Sequence, residues 1–139
     1  MPQPLPAELR FRVGVDAVGV QRVQRVIGSD AHRRAAVFTE QELEHCRGRR
    51  REYEHLAGRF AAKEAVLKAF GTGLRRRMRL TDVEVVNEPS GRPRIELGGA
   101  VAEFARGHGL QQLDVSLTHT EGVAVAMAVA AWERPCAFT

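Results

Sequence analysis

The chain is poor in cysteine, poor in aromatic residues and free of long apolar runs, and each shortage removes a class of protein. Cys46 and Cys136 are its only cysteines. They lie far apart, with no Cys-x-x-Cys and no metal-ligand spacing, so two free thiols in a reducing compartment are expected. Aromatic residues are 6% of the chain, with one Trp and one Tyr. That leaves few rings to stack on bases, and no nucleic-acid motif accompanies them. No apolar run is long enough to cross a bilayer. Met1 to Pro6 has neither a charged n-region nor an apolar h-region, so the expected location is cytoplasmic.

Acidic charge is also in the minority. Lys and Arg number 21 against 17 Asp and Glu, a formal charge of +4 carried mostly by arginine. Arginine suits planar, bidentate binding of phosphate or carboxylate, so the excess points to an acidic partner. Nucleic acid, an acidic protein and a nucleotide-like small molecule all fit that description. With 139 residues the chain is expected to be one domain over residues 9–133, after a disordered lead-in at 1–8 and before a tail at 134–139.

What is present is strong patterning. Leu9, Phe11, Val13 and Val15 alternate with Arg10, Arg12, Gly14 and Asp16, which predicts a half-buried strand with Asp16 at its exit. Val20, Val23 and Ile27 predict a short amphipathic helix. Thr39-Glu40-Gln41-Glu42 is a capping box opening a helix to about Cys46. From near Glu52 an Ala- and Leu-rich stretch with no breaker predicts one long helix, stopped at Gly71. Val83–Val86 and Arg94–Leu97 flank the turn signal Asn87-Glu88-Pro89-Ser90-Gly91 and read as a hairpin. Ala100 to Arg106 is a short helix. Leu113 to Leu117 alternates as a strand, and Val123 to Trp132, apolar on both faces, reads as a buried one. The order is α+β: a mostly antiparallel sheet packed against one long helix and shorter ones.

Chemistry concentrates in the long helix. Glu64 and Lys68 are one turn apart on one face, at the margin of a stripe formed by Leu56, Phe60, Leu67 and Phe70. Alone they could be a solvated ion pair worth about 0.3–0.5 kcal/mol. Lys63 falls on the stripe, where a lysine can merely snorkel. Gly71-Thr72-Gly73 follows a helix, whereas phosphate loops precede one, so any anion contact needs the loop's own N–H groups or Arg75, Arg76 and Arg77. Asp16 could cap the next helix, and His119, in phase with Leu113, Val115 and Leu117, could be a core histidine. Together, a carboxylate leaving a strand, a carboxylate and lysine on one helix face, a histidine and scattered arginines fit Mg2+ held by carboxylates and substrate phosphates.

Three blocks then match a known family: Gly14-Val15-Asp16 with Arg22; Phe38-Thr39-x-x-Glu42-Leu43 leading into Arg59 to Gly73; and Ser116-Leu117-Thr118-His119-Thr120. The chain resembles the 4′-phosphopantetheinyl transferases of the short holo-acyl-carrier-protein synthase type over roughly Phe11 to Ala131. That resemblance implies transfer of the phosphopantetheine arm of coenzyme A to a serine of an acidic apo acyl carrier protein, releasing adenosine 3′,5′-bisphosphate, in fatty acid or polyketide synthesis. It implies Asp16 and Glu64 as Mg2+ ligands and Lys68 as the cation neutralising the attacked phosphate. Coenzyme A would be bound by Arg59, Lys63, Lys68, Gly71, Thr72, Gly73 and His119, with Arg59 and His119 at the nucleotide end. The family's short members are homotrimers with sites at subunit interfaces, which implies that Asp16 and Glu64 meet across two chains. Arg22, Arg25, Arg33 and Arg34 would dock the carrier protein. Gly19 departs from the acid common at that position, and Val18 favours the short type.

Two other classes compete. One is a basic nucleic-acid binder using Arg47 to Arg51 and Arg75 to Arg79, against which the scarce aromatics and absent motif weigh. The other is a catalytically dead relative acting as a scaffold, which the intact Asp16, Glu64 and Lys68 oppose.

Overall fold

The computed structural model describes residues 8–133. The expected lead-in (apart from Glu8), the 134–139 tail and Cys136 fall outside the described residues. Strand β1 (Arg10–Gly19) runs straight into α1 (Val20–Val26), followed by α2 (Ala31–Val37), α3 (Glu40–Cys46) and α4 (Glu52–Phe70). A short 3-10 turn (Leu80–Asp82) leads to the hairpin β2 (Val83–Asn87) and β3 (Pro93–Leu97). Helix α5 (Gly99–Gly107) and the strands β4 (Leu110–Thr120) and β5 (Val123–Trp132) complete the α+β order. β1, β5 and β4 form an antiparallel sheet with β5 central, and β2 and β3 form a separate two-stranded one.

Helix α4 lies across the larger sheet, and the contact is built from small residues. Ala61, Ala62, Ala65 and Ala69 of the helix and Ala124, Ala126, Ala128 and Ala130 of β5 are all fully or almost fully buried. Short side chains let helix and sheet approach closely, so burial reaches almost all round the helix and exceeds the expected stripe. At one end Phe70 meets Trp132 edge-on, ring centroids 5.1 Å apart, with Phe104 of α5 stacked on Phe70 at 6.2 Å. Such aromatic pairs add about 0.5–1.5 kcal/mol beyond area burial. At the other end Leu56 and Ala57 join Val23, Ile27, Phe38 and Cys46 in a second cluster. Gly71 terminates α4 at φ 76°, a left-handed turn that suits glycine.

Three expectations are corrected. The apolar face of β1 is not buried: Phe11, Val13 and Val15 are 62%, 60% and 55% exposed, while Gly14 and Asp16 face α4. β5 is covered on one face only, with Val123 and Met127 exposed on the other. Helix α2 was not anticipated. Asp30 caps it by accepting the Arg33 backbone N–H at 2.9 Å, but the segment buries none of its residues and so carries no clear apolar period.

Candidate active site

Strand and helix bring three of the sequence candidates together. Asp16 lies on the face of β1 turned to α4, and the Lys68 ammonium donates to its Oδ1 at 3.0 Å and to the Val15 carbonyl at 3.0 Å. Glu64, one turn before Lys68, shares a cavity of about 340 Å³ with Asp16, Arg22, Val26 and Phe60. Burial first, then the negative charge of Asp16, hold the Glu64 carboxyl above the usual range, with Lys68 opposing. Asp16 and Glu64 therefore meet within one protomer. This corrects the expectation that two chains are needed to join them. Among the described residues no group of three or more His, Cys, Asp and Glu side chains forms a metal cage. Two carboxylates fit Mg2+ here, because that ion keeps water and substrate oxygens in most of its coordination positions.

A second cavity of about 270 Å³ lies elsewhere along α4, lined by Glu54, His55, Gly58, Arg59, Asn87 and His119. Arg59 is 6% exposed. Its Nη2 donates to Asn87 Oδ1 at 2.5 Å, while its buried Nε has no hydrogen-bond partner among the described residues. His119 is half exposed, with Nδ1 3.6 Å from Glu54 Oε2, and so is not a core histidine. Burial, then Arg59 and Arg49, push His55 below its ordinary pKa, with Glu54 opposing, and His45 is lowered by burial and the same two arginines. Arg59 and Glu64 are five residues apart, roughly 7.5 Å along the helix axis and about 140° around it, so the two cavities open on different sides.

The family model for the 4′-phosphopantetheinyl transferase superfamily matches residues 12–128. The chain belongs to this superfamily. It is 43% identical over 126 residues to the holo-[acyl-carrier-protein] synthase of Geobacter sulfurreducens, covering 90% of this chain and 98% of that one. The synthase of Geotalea daltonii is 42% identical over 120 residues, covering 86% and 96%. The Chronobacterium ammoniagenes synthase in complex with coenzyme A superposes with a TM-score of 0.79 at 29% identity, covering 90% and 99%.

Within this phosphopantetheinyl transferase, several expected site residues have other work. Lys63 does not reach either cavity. It is fully buried, and its ammonium donates to Glu42 Oε1 at 2.7 Å, the Leu80 carbonyl at 3.1 Å and the Val83 carbonyl at 2.5 Å. Desolvation lowers its pKa and Glu42 opposes the shift. Contact with coenzyme A is thus corrected to a structural role. In the Gly71-Thr72-Gly73 loop the Gly71 and Thr72 N–H groups turn back to carbonyls of α4, so those two donors are already engaged. The loop lies about 18 Å along the axis from Arg59. Arg34 does not project as a docking residue. Its Nε donates to the Gly28 carbonyl at 2.6 Å and its Nη1 to Glu52 at 3.2 Å. Arg33 donates to the Val26 carbonyl at 2.9 Å yet stays exposed, as do Arg22 and Arg25 on α1.

Asn87, Glu54 and Phe60 are site residues that sequence reasoning did not assign. Asn87 stands where a turn explains an asparagine, Glu54 reads as a first-turn helix acid, and Phe60 as part of the core stripe. No local signal separated them from those roles.

Proposed function

We propose that the protein transfers the 4′-phosphopantetheine arm of coenzyme A to a serine of an apo acyl carrier protein, using Mg2+. The gathering of Asp16, Glu64 and Lys68 around one cavity is the observation that carries this reading. Asp16 and Glu64 would hold the Mg2+, which would neutralise the diphosphate oxygens and stabilise the leaving phosphate. Lys68, whose ammonium now rests on Asp16, swings to the attacked phosphate when an anion enters, because its side chain is half exposed and free to turn. The serine oxygen forms a new P–O bond to the phosphate bearing the pantetheine arm. The P–O bond to adenosine 3′,5′-bisphosphate breaks, and the serine proton leaves to a carboxylate or water of the same cavity. No covalent enzyme intermediate is required; positioning and charge neutralisation do the work.

The Arg59–His119 cavity takes the nucleotide end. Arg59 brings a full positive charge to its wall, and Asn87 orients the guanidinium. The two cavities open on different sides of α4, so one coenzyme A bridges the cation site of one protomer and the nucleotide pocket of a neighbour. The exposed face of β1 and β5 supports that assembly. Phe11, Val13, Val15, Val123 and Met127 lie on one face of two paired strands, an exposed apolar patch of the kind that marks an interaction surface. A homotrimer with sites between subunits is the arrangement proposed.

The acidic carrier protein docks on α1. Val26, 52% exposed, is flanked by Arg22, Arg25 and Arg33 next to the cation cavity, an apolar centre with a cationic rim. The reading places the protein in the cytoplasm, supplying holo carrier protein for fatty acid or polyketide synthesis. Intact-mass measurement of an apo carrier protein incubated with this protein, coenzyme A and Mg2+ tests it. Gain of one phosphopantetheine group, abolished by a chelator, is expected; an unchanged mass refutes the activity.

A further inference from the structure

We infer that Gly14 is a positioning residue of the cation site: its missing side chain sets the distance between β1 and α4, and hence between Asp16 and the Glu64–Lys68 pair. The inference rests on the reading of those residues as the cation site. Gly14 is buried in mid-strand with an ordinary extended neighbourhood, so no turn or positive φ calls for glycine there. Close approach does. A Cβ built on Gly14 would lie 1.9 Å from the Ala65 carbonyl oxygen and 2.6 Å from the Ala69 nitrogen. Both are backbone atoms, so no side chain can turn aside. Of the described glycines compared in this way, none comes as near to another segment's backbone; Gly99 meets only the Asp82 carboxylate, at 2.6 Å.

The geometry couples that contact directly to the chemistry. Side chains alternate along a strand, so Gly14 and Asp16 point to the same side of β1. The two helix residues that Gly14 touches are the next neighbours of Glu64 and Lys68. Lys68 reaches the strand at 3.0 Å from both Asp16 and the Val15 carbonyl, and Glu64 senses the Asp16 charge. An alanine at position 14 must lift the helix until an ordinary contact of about 3.4 Å replaces 1.9 Å, a displacement of about 1.5 Å at the residues adjoining the site. A catalytic constellation tolerates about 0.5 Å, and a misplacement of about 1 Å can cost 100-fold in rate. The second cavity is insulated from this, since Arg59 is anchored by Asn87 on another element and sits more than a helical turn away.

The test is Mn2+ binding to the full-length protein with coenzyme A present, followed by electron paramagnetic resonance, together with steady-state kinetics. Gly14→Ala is expected to weaken Mn2+ affinity at least tenfold and to lower kcat about 100-fold, while affinity for adenosine 3′,5′-bisphosphate changes less than threefold. Val101→Ala, a buried core change on α5, is the stability-matched control. It should leave Mn2+ affinity and kcat within twofold at temperatures where both variants are folded. If Gly14→Ala does not fold, Ala69→Val, which enlarges a buried side chain on the helix residue whose backbone nitrogen meets Gly14, is read by the same criteria. A folded variant that binds Mn2+ as the unmodified protein does overturns the inference. Absence of Mn2+ binding by the unmodified protein overturns instead the underlying assignment of the cation site.

Discussion

Replacing Lys63 by methionine separates the two roles this residue could have. The ammonium is completely enclosed and makes three bonds, to a carboxylate and to two backbone carbonyls. Methionine fills nearly the same volume, so the cavity cost is small. What is lost is polar. Glu42 keeps the Thr39 and Val85 N–H donors, at 2.9 Å each, but loses the counter-charge that Lys63 supplies. Removing one partner of a buried ion pair costs about 3–5 kcal/mol, because the other charge remains in a medium that solvates it poorly. The two orphaned carbonyls push the value toward the upper end. For a chain of this size that corresponds to a fall in Tm of roughly 10–20 °C. Urea denaturation at fixed protein concentration gives the free energy. Isothermal titration with coenzyme A at 10 °C, where the variant remains folded, gives the affinity. A stability loss of the stated size with affinity within threefold is expected. A variant that keeps its stability to within 1 kcal/mol but loses coenzyme A would refute the structural role and return Lys63 to the ligand.

Further outcomes follow from the cation site and the open sheet face. Asp16→Asn and Glu64→Gln should both fold and lose Mg2+-dependent transfer, and Lys68→Ala should lower kcat by about 2–4 kcal/mol of transition-state stabilisation, measured by carrier-protein mass shift. Because the Glu64 carboxyl is raised in the folded protein, its contribution to stability is full below the unfolded carboxylate pKa and fades as pH rises through the folded value. Metal-free protein should therefore lose stability on that rise while Mg2+ affinity climbs, as the cation replaces the proton; thermal melts across pH with and without Mg2+ check both signs. Val13→Asp should leave the fold intact yet shift the protein to monomers in light scattering and suppress turnover, whereas an unchanged oligomer would remove this face from assembly.

The parts of the molecule that were legible in the sequence are those where local chemistry and tertiary need agree. The Thr39–Glu42 capping box forms as read, with Glu42 N–H on Thr39 Oγ1 at 3.2 Å and Thr39 N–H on Glu42 Oε1 at 2.9 Å. The hairpin turn after Asn87 closes through the Glu88 N–H on the Arg92 carbonyl at 2.8 Å, and the long helix begins and stops where glycine and composition placed its ends. The failures share a cause. Alternation in β1 shows that one face is apolar, but not whether that face is covered by the same chain or left for another. Helical phase set Lys63 on the buried seam, yet only the arrival of Glu42 and two carbonyls from distant segments makes burial tolerable. Arg34 and Arg33 are adjacent in a basic stretch, and what divides them is Glu52, 18 residues after Arg34. Asp16, Glu64 and Lys68, which the structure brings together, stood out as candidates because their residue types are chemically telling; Asn87 and Phe60 did not, because common structural uses explain them equally well.

Strand β1 leaves no neutral side on which an error could hide. Slipping it by a single position against β5 would carry Asp16 outward and thrust Val15 into the helix backbone, in the space that tolerates no side chain at all. A misaligned chain would thus lose the pocket proposed for the cation and the outer face proposed for assembly in the same stroke. On that proposal the quality control of this fold is coupled to function: molecules threaded wrongly would be both inert and unable to join their siblings.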